Sequence, residues 1–234
     1  MMRSLFKRKL NKENKGTTLI EMIVSFTLLS IFVSASVIVI SNVTTLYYRV
    51  RGENYARQIG DIVTNKIASE VSGAEYSSRN TSSNLYIKNE GDFKSSFTQI
   101  TDDIDGNTIT LYDRTGTRVS IFASDGILKI YYHEINDEVN TDNSREAVYW
   151  TFDENVYNGY HIEALDFVQA ASSDNQTVAQ NYGMDGGNPD DYPSNVMAVY
   201  MTLRSDQYGK FNICRYVKVY SAPESGWIMT EAGD

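Results

Sequence analysis

Few side chains in this sequence could bind a metal or carry out a reaction, and they are scattered along the chain. There are two histidines, His133 and His161, and a single cysteine, Cys214. Neither histidine has a partner at the spacing of a metal-binding motif, and the GxSxG, Walker and HExxH motifs are absent. One cysteine cannot form an intramolecular disulfide, and in a strand-like context it is typical of a small buried hydrophobic residue. These observations argue against an enzyme.

An acidic loop at residues 101–107 (TDDIDGN) places Asp103, Asp105 and Asn107 at alternate positions, as the start of a calcium-binding loop does. An EF-hand loop that begins at Asp103 requires glycine at its sixth position and glutamate at its twelfth. Thr108 and Arg114 occupy those two positions, so the motif is incomplete. The combination of Asp, Gly and Asn predicts a turn instead.

Glu21 is a single carboxylate at the front of a long uncharged run. No residue from 22 to 48 is charged, and the apolar core of this run, residues 22–43, has the length of about 20 residues that a helix needs to cross a bilayer. The preceding residues 1–16 carry six basic side chains and one acidic side chain. This distribution of charge predicts one membrane-spanning helix, with its amino end in the cytoplasm and the rest of the chain outside.

Two common kinds of amino-terminal segment explain only part of this pattern. A cleaved secretory signal has an apolar region of about 7–15 residues followed by small residues at its cleavage site. Here the small residues 34–36 (SAS) lie in the middle of a longer run. A plain signal anchor accounts for the basic leader and the apolar run, and the helix dipole favours an acid such as Glu21 at the amino end. It does not account for Gly16, the glycine that ends the leader.

A basic leader ending in Gly16, followed by TTLIE and a long apolar helix, resembles the class III signal of type IV prepilins over roughly residues 1–45. In that family, a membrane-embedded prepilin peptidase cuts after the glycine and methylates the new amino terminus. The resemblance implies cleavage after Gly16, N-methylation of Thr17 and a role in assembly for Glu21, which is the fifth residue of the processed chain. The family usually begins its processed chain with Phe, where this sequence has Thr17.

The resemblance also implies a reason for the acid. In the family, the glutamate of one subunit pairs with the amino terminus of a neighbour in the filament, so Glu21 is expected to set the register of docking. Two unit charges about 4 Å apart attract each other by about 4 kcal/mol at an effective dielectric of about 20. The expected partners are other pilin or pseudopilin subunits, the prepilin peptidase, the inner-membrane assembly platform and the lipid bilayer. No cofactor is expected, apart from the calcium ion considered below for residues 182–195.

The helix is expected to continue beyond the membrane as an amphipathic helix. Apolar residues recur at spacings of three and four, with charged residues between them that predict an exposed face of mixed charge. The apolar stripe consists of Tyr55, Ile59, Ile62, Val63, Ile67 and Val71. We expect the helix to end near Ser72, with Gly73 as its cap. No proline precedes Pro189, which predicts a helix without a proline kink.

The rest of the chain alternates strand-like runs with turn signals. The predicted strands cover residues 84–88, 107–113, 117–123, 127–135, 147–152, 162–169, 196–204 and 211–221. Asp125-Gly126 is a strong hairpin signal, and residues 204–210 predict a second hairpin turn. A long amino-terminal helix followed by antiparallel strands predicts an α+β fold. It also resembles the pilin fold, in which an antiparallel sheet wraps the exposed half of that helix.

These patterns divide the chain into four segments. Together with the resemblance, they imply a basic prepilin leader at residues 1–16, a transmembrane and filament-core helix at 17–48, its amphipathic continuation at 49–73, and a β-rich extracytoplasmic head at 74–234. The formal net charge is −9, and a body this acidic lacks the basic stripe typical of nucleic-acid-binding proteins. The expected location is the bacterial cytoplasmic membrane, and the cell surface or pilus after assembly.

A second acidic loop, residues 182–195, carries Asp185, Asp190 and Asp191 among glycines and prolines. Some pseudopilins hold calcium in a loop of this kind, so these three aspartates are candidate metal ligands. The alternative is an exposed loop that serves as a contact surface for another subunit.

Taken together, the sequence favours a minor pilin or pseudopilin that is processed after Gly16 and enters, initiates or caps a type IV pilus-like filament. Such filaments occur in type IV pili, in competence systems for DNA uptake and in type II secretion systems. The alternative is a surface binding domain that keeps its leader as a signal anchor and does not polymerise.

Overall fold

A computed structural model describes residues 18–74, 85–91, 94, 100, 102–112, 117–133 and 149–219. The helices are α1 (Leu19–Ser72), α2 (Glu154–Tyr157) and α3 (Asp174–Asn181), with a 3-10 turn at Pro189–Asp191. The strands are β1 (Leu85–Lys88), β2 (Thr108–Tyr112), β3 (Arg118–Ser124), β4 (Ile127–Tyr132), β5 (Tyr149–Thr151), β6 (His161–Gln169), β7 (Val196–Ser205) and β8 (Gly209–Lys218). Helix followed by antiparallel strands is the predicted α+β arrangement. The predicted strand ends at residues 84, 113, 134–135, 147–148 and 220–221 lie outside the described residues. The chain divides into two compact units, Met1–Arg49 and Val50–Asp234.

α1 is continuous from Leu19 to Ser72, as expected for a segment without proline. It ends where the sequence places its end, but the predicted cap by Gly73 is wrong. Gly73 is not among the residues with a positive φ angle, so it forms no left-handed cap. Its N–H donates to the carbonyl of Ser69 at 3.2 Å, which extends the helical hydrogen bonding by one residue.

The second part of α1, from residue 50 onward, packs a stripe of side chains against the strands. Ile59, Val63, Ile67 and Val71 are at most 3% exposed, as predicted, whereas Ile62 is 45% exposed and does not belong to the stripe. The other buried residues of α1 are small ones, which a search for large apolar side chains does not reveal: Gly52, Ala56, Gly60 and Thr64. They follow each other at every fourth position and let the strands approach the helix backbone closely.

Five antiparallel strands form a meander in the order β1-β2-β3-β4-β5. Its central hairpin turns at Asp125 and Gly126, whose φ angles are 55° and 78°. Positive φ at both turn residues is the requirement of a type I′ turn, which confirms the predicted hairpin. β3 is buried along nearly its whole length, because Phe122 packs with Ile100 and Tyr131 on one face while Ile121 joins the main core on the other.

A separate three-stranded antiparallel sheet contains β6, β7 and β8. The expectation of one sheet is therefore replaced by two. The predicted second hairpin is present, since Ser205 pairs with Gly209 across a tight turn and Gly209 has a φ of 88°. α3 packs on β6 and β7, where Ala179 of the helix meets Val168 and Tyr200 of the strands.

Residues 105–107 join the two sheets. Gly106 forms a parallel bridge with Leu165, flanked by hydrogen bonds of 2.8 Å from Leu165 N to Asp105 O and 3.1 Å from Asn107 N to Leu165 O. The side-chain amide of Asn107 accepts from Phe167 N at 2.7 Å and donates to Phe167 O at 2.9 Å. Gly106 has a φ of 118°, and a Cβ there would lie 2.1 Å from Leu165 O. The predicted turn at TDDIDGN is thus a structural connector that requires glycine.

α1 and both sheets share one hydrophobic core. It combines Ile67 of α1 with Ile130 of the five-stranded sheet and Met201 of the three-stranded sheet, all fully buried. The two sheets together therefore cover the apolar stripe of α1, which explains why its side chains are buried.

Candidate functional site

The amino end of α1 is the first part of the predicted assembly site. Gly16 and Thr17 lie outside the described residues. Glu21 is exposed, and its Oε2 accepts a hydrogen bond from Thr18 N at 2.8 Å, while Glu21 N donates to Thr18 Oγ1 at 3.4 Å. This reciprocal pair is a capping box, and it satisfies two of the N–H groups that a helix leaves without an internal partner at its amino end. Within a single chain, Glu21 therefore has a role in starting the helix.

The apolar run that follows is long and apolar enough to cross a membrane. Six of its serine and threonine hydroxyls each donate to the carbonyl four residues earlier in the helix, at 2.7–3.0 Å. These residues are Ser25, Thr27, Ser30, Ser34, Ser36 and Thr45. A polar group that is bonded internally does not need water. The run therefore suits hydrocarbon, or a dry core of packed helices, despite its serines and threonines.

The second part of α1 is fastened to the carboxyl-terminal hairpin by close backbone contact. The hydroxyl of Tyr160 donates to Gly52 O at 2.8 Å, and the ring of Tyr160 stacks on the ring of Tyr208 with centroids 5.9 Å apart. Further along, Arg215 Nη1 lies 3.3 Å from Thr64 Oγ1. These contacts hold the side of α1 that carries the small residues.

Polar contacts fasten the end of α1 to the five-stranded sheet. Lys66 Nζ lies 2.5 Å from Glu70 Oε1 and 4.4 Å from the ring centroid of Trp150 on β5. Glu70 also accepts a hydrogen bond of 2.9 Å from the hydroxyl of Tyr132 on β4. The predicted mixed-charge face of α1 is therefore partly engaged with the head at these two residues.

His133 is buried, 4% exposed, and it lies beside a serine hydroxyl, an arrangement that catalytic sites also use. Its Nε2 lies 2.8 Å from Ser120 Oγ, which lies 3.0 Å from Thr110 Oγ1. Burial, assisted by the nearby charge of Arg118, lowers the pKa of His133 to about 3. A histidine with such a pKa is a poor general base near neutral pH, and Ser120 is fully buried. Thr110, Ser120 and His133 therefore form a structural hydrogen-bond chain that links β2, β3 and the residue after β4. His161, at the start of β6, is exposed.

The carboxylates of the first acidic loop reach different partners. Asp102 and Asp125 both contact Lys129, whose Nζ lies 3.2 Å and 2.6 Å from them. Asp103 contacts Lys94 at 3.2 Å, and Asp105 accepts from Gly126 N at 3.5 Å. Burial raises the pKa of Asp105. Lys129 could not be recognised as a buried cation from the sequence, because its partner Asp102 lies 27 positions away.

Asp185, Asp190 and Asp191 are exposed on the second acidic loop. Asp185 Oδ1 accepts from Gly187 N at 3.0 Å, an ordinary turn contact, and the other two aspartates lie in the 3-10 turn. Within the ranges that the structure describes, no three His, Cys, Asp or Glu side chains are grouped so that they could hold a metal ion.

Cys214 lies on β8 and is partly buried in the cluster beneath α3. Burial raises the pKa of its thiol, so little reactive thiolate forms near neutral pH. This is the behaviour expected of a small hydrophobic residue, as the sequence predicts.

The chain matches no known family model, and no curated protein matches it. The class of protein that the observations define is a chain with one long amino-terminal helix, apolar in its first part and packed on antiparallel sheets in its second.

Proposed function

We propose that this protein is a minor pilin-like subunit that is processed after Gly16 and assembled through α1 into a type IV pilus-like filament. The observation that carries the proposal is the basic leader with Gly16, TTLIE and the apolar run, placed at the front of one helix that also anchors an antiparallel β head. This arrangement supports a subunit whose function is contact and assembly. The prepilin peptidase, the membrane assembly platform and other pilin subunits are its proposed partners.

The capping box supports a two-stage role for Glu21. In the separate subunit, the carboxylate accepts a hydrogen bond from Thr18 N and needs no second chain. In the filament, a neighbour's amino group would take the position of that donor. An unpaired charge in a dry core is strongly destabilising, so only subunits in the correct register would dock.

The first experiment is the intact mass and amino-terminal sequence of the protein from its native membrane. A chain that begins at Thr17 with a methyl group on its nitrogen is the expected result. A chain that still begins at Met1 or Met2 would overturn the proposal.

A pair of substitutions then separates the two roles of Glu21. Glu21→Gln keeps a side chain that can complete a capping box but removes the charge, whereas Glu21→Ala removes both. We expect both variants to be processed normally and both to be lost from filaments. Normal incorporation of Glu21→Gln together with loss of Glu21→Ala would show that only the helix cap matters, and the charge pair would be abandoned.

A second candidate function is a surface binding domain that keeps its leader as an anchor. One observation favours it: the capping box accounts for Glu21 without any neighbouring subunit. The amino-terminal sequence distinguishes the two functions, since an anchored domain retains residues 1–16.

A further inference from the structure

The two charges that bound the apolar run are separated by the thickness of a bilayer. Positions 21 and 49 differ by 28 residues, and no charged residue lies between Glu21 and Arg49. α1 is continuous across this interval, so a rise of 1.5 Å per residue puts the two positions about 42 Å apart. A bilayer with its headgroups is about 40–45 Å thick. A nearly upright helix therefore places both charges among headgroups, on opposite sides of the membrane.

Two exposed tyrosines lie immediately before Arg49. Tyr47 and Tyr48 are 58% and 45% exposed, and their rings meet edge to face with centroids 5.9 Å apart. Residue 35 is midway between the two charges, so Tyr47 lies about 18 Å from the midplane at 1.5 Å per residue. The hydrocarbon core extends to only about 15 Å from the midplane. This is the interfacial depth at which tyrosine is enriched, because its ring is apolar and its hydroxyl can bond to headgroups and water.

We propose that Tyr47, Tyr48 and Arg49 form an interfacial anchor for phospholipid headgroups of the outer leaflet. The guanidinium of Arg49 binds lipid phosphate. The two tyrosines lie at the boundary of the hydrocarbon core and fix the depth of the helix. The anchor deepens the proposed function and rests on its membrane-inserted subunit. Its consequence is that Glu21 stays hydrated at the opposite interface until the subunit is drawn outward, so the anchor resists extraction until filament contacts replace the lipid.

Depth measurements by electron paramagnetic resonance test the anchor in the full chain. Cys214→Ser removes the native thiol, and a nitroxide is attached in turn at Leu28→Cys and at Asn42→Cys. Each site lies seven residues from residue 35. In vesicles of phosphatidylcholine and phosphatidylglycerol, we expect both labels at the same depth, about 10 Å from the midplane, in opposite leaflets.

A triple substitution supplies the perturbation. Tyr47→Leu, Tyr48→Leu and Arg49→Leu together extend the uncharged run to Arg51. If Arg51 takes the place of Arg49 among the headgroups, the helix moves along its axis by two residues, or about 3 Å. One label then lies about 3 Å deeper and the other about 3 Å shallower, so the two should differ in depth by about 6 Å. Arg57→Leu is the control, because Arg57 lies beyond the expected headgroups and already pairs with Glu53; it should leave both depths unchanged.

The outcomes are distinct. Unequal depths in the chain with its native anchor, or equal depths in the triple variant, overturn the anchor. Labels that are both open to water show that the helix is not inserted, and they overturn the anchor together with the membrane-spanning subunit. If the expected depths are found but the protein never enters a filament, the anchor stands and the proposed function fails.

Discussion

Replacing Gly52 with alanine tests how α1 is held against the carboxyl-terminal hairpin. A Cβ at Gly52 would lie 2.6 Å from Tyr208 Cβ and 2.8 Å from its Cγ. Tyr208 Cβ cannot rotate away, since it is bonded directly to the backbone of the turn between β7 and β8. The ring of Tyr208 also stacks on Tyr160, whose hydroxyl bonds to Gly52 O. An added methyl group must therefore push the hairpin away from the helix.

Two effects of opposite sign determine the size of the change. Alanine is favoured over glycine in a helix interior by about 1 kcal/mol. Overpacking costs about 1–3 kcal/mol, and displacing Tyr160 weakens a buried hydrogen bond worth about 1 kcal/mol. We expect Gly52→Ala to lower the free energy of unfolding by about 2 kcal/mol, by the sum of these terms.

Gly60→Ala is the matched control, because Gly60 is buried on the same face of the same helix. A Cβ there would meet Ile213 Cδ1 at 2.3 Å, with the next atom at 3.4 Å. This methyl is the end of a flexible side chain and can rotate away. The helix preference for alanine should then dominate, and we expect Gly60→Ala to leave stability unchanged or to raise it by up to about 1 kcal/mol.

The assay is denaturant unfolding of the full chain in detergent micelles, followed by tryptophan fluorescence. Trp227→Phe leaves Trp150 as the single tryptophan, and Trp150 reports on docking of α1 because Lys66 lies over its ring. Tyr208→Gly, which removes this Cβ, should relieve the cost of Gly52→Ala in a double-mutant cycle. Equal losses from both glycine variants, or stabilisation by Gly52→Ala, would refute the argument from close approach.

Three further predictions concern the head, each measured by unfolding. Gly106→Ala should lower the free energy of unfolding by about 3 kcal/mol, because the added Cβ meets Leu165 O and alanine is strained at this φ angle. A loss below about 1 kcal/mol would contradict the bridge between Gly106 and Leu165. Asn107→Asp should lower the free energy of unfolding by about 2 kcal/mol at neutral pH, since a carboxylate replaces the amide that donates to Phe167 O. This loss should shrink in acid, where protonation of the carboxylate restores a donor. A loss that does not vary with pH would count against this contact. His133 remains neutral in the fold, with a pKa of about 3 against 6.5 when unfolded. The neutral imidazole therefore makes its full contribution to the free energy of unfolding above the unfolded pKa. This contribution is lost as the pH falls toward the folded pKa, by about 2 kcal/mol between pH 7 and pH 5. His133→Gln should remove that part of the pH dependence, and an unchanged profile would refute it.

The positions of the long helix and of most strands could be predicted because their signals are local, whereas the short helices α2 and α3 were not predicted. A run of alternating apolar residues, or a dipeptide such as Asp125-Gly126, acts through the backbone of a few neighbouring residues. The 3.6-residue period of α1 likewise needs only its own sequence. Ile62 was misassigned because it directly precedes Val63, and a stripe drawn from sequence cannot tell which of two adjacent apolar residues faces the core.

The polar interior could not be predicted in the same way. Ser120 and His133 are polar residues within predicted strands, and no feature of the sequence indicated that they are buried. Their burial is possible because strand register places Thr110, Ser120 and His133 within hydrogen-bonding distance of one another. Register depends on pairing between strands, and a shift of one residue would place each side chain on the opposite face.

By itself, the sequence determined a basic amino-terminal segment, an uncharged run long enough to span a bilayer, an amphipathic continuation and a series of hairpins, since each depends on residues close together in the chain. Only the tertiary structure decided that the strands form two sheets and that small residues of α1 accept the carboxyl-terminal hairpin. The contacts responsible join residues far apart in sequence: Asn107 and Phe167 are separated by 60 positions, and Gly52 and Tyr160 by 108. Pairing of this kind is selected by the shared core, which no local pattern contains.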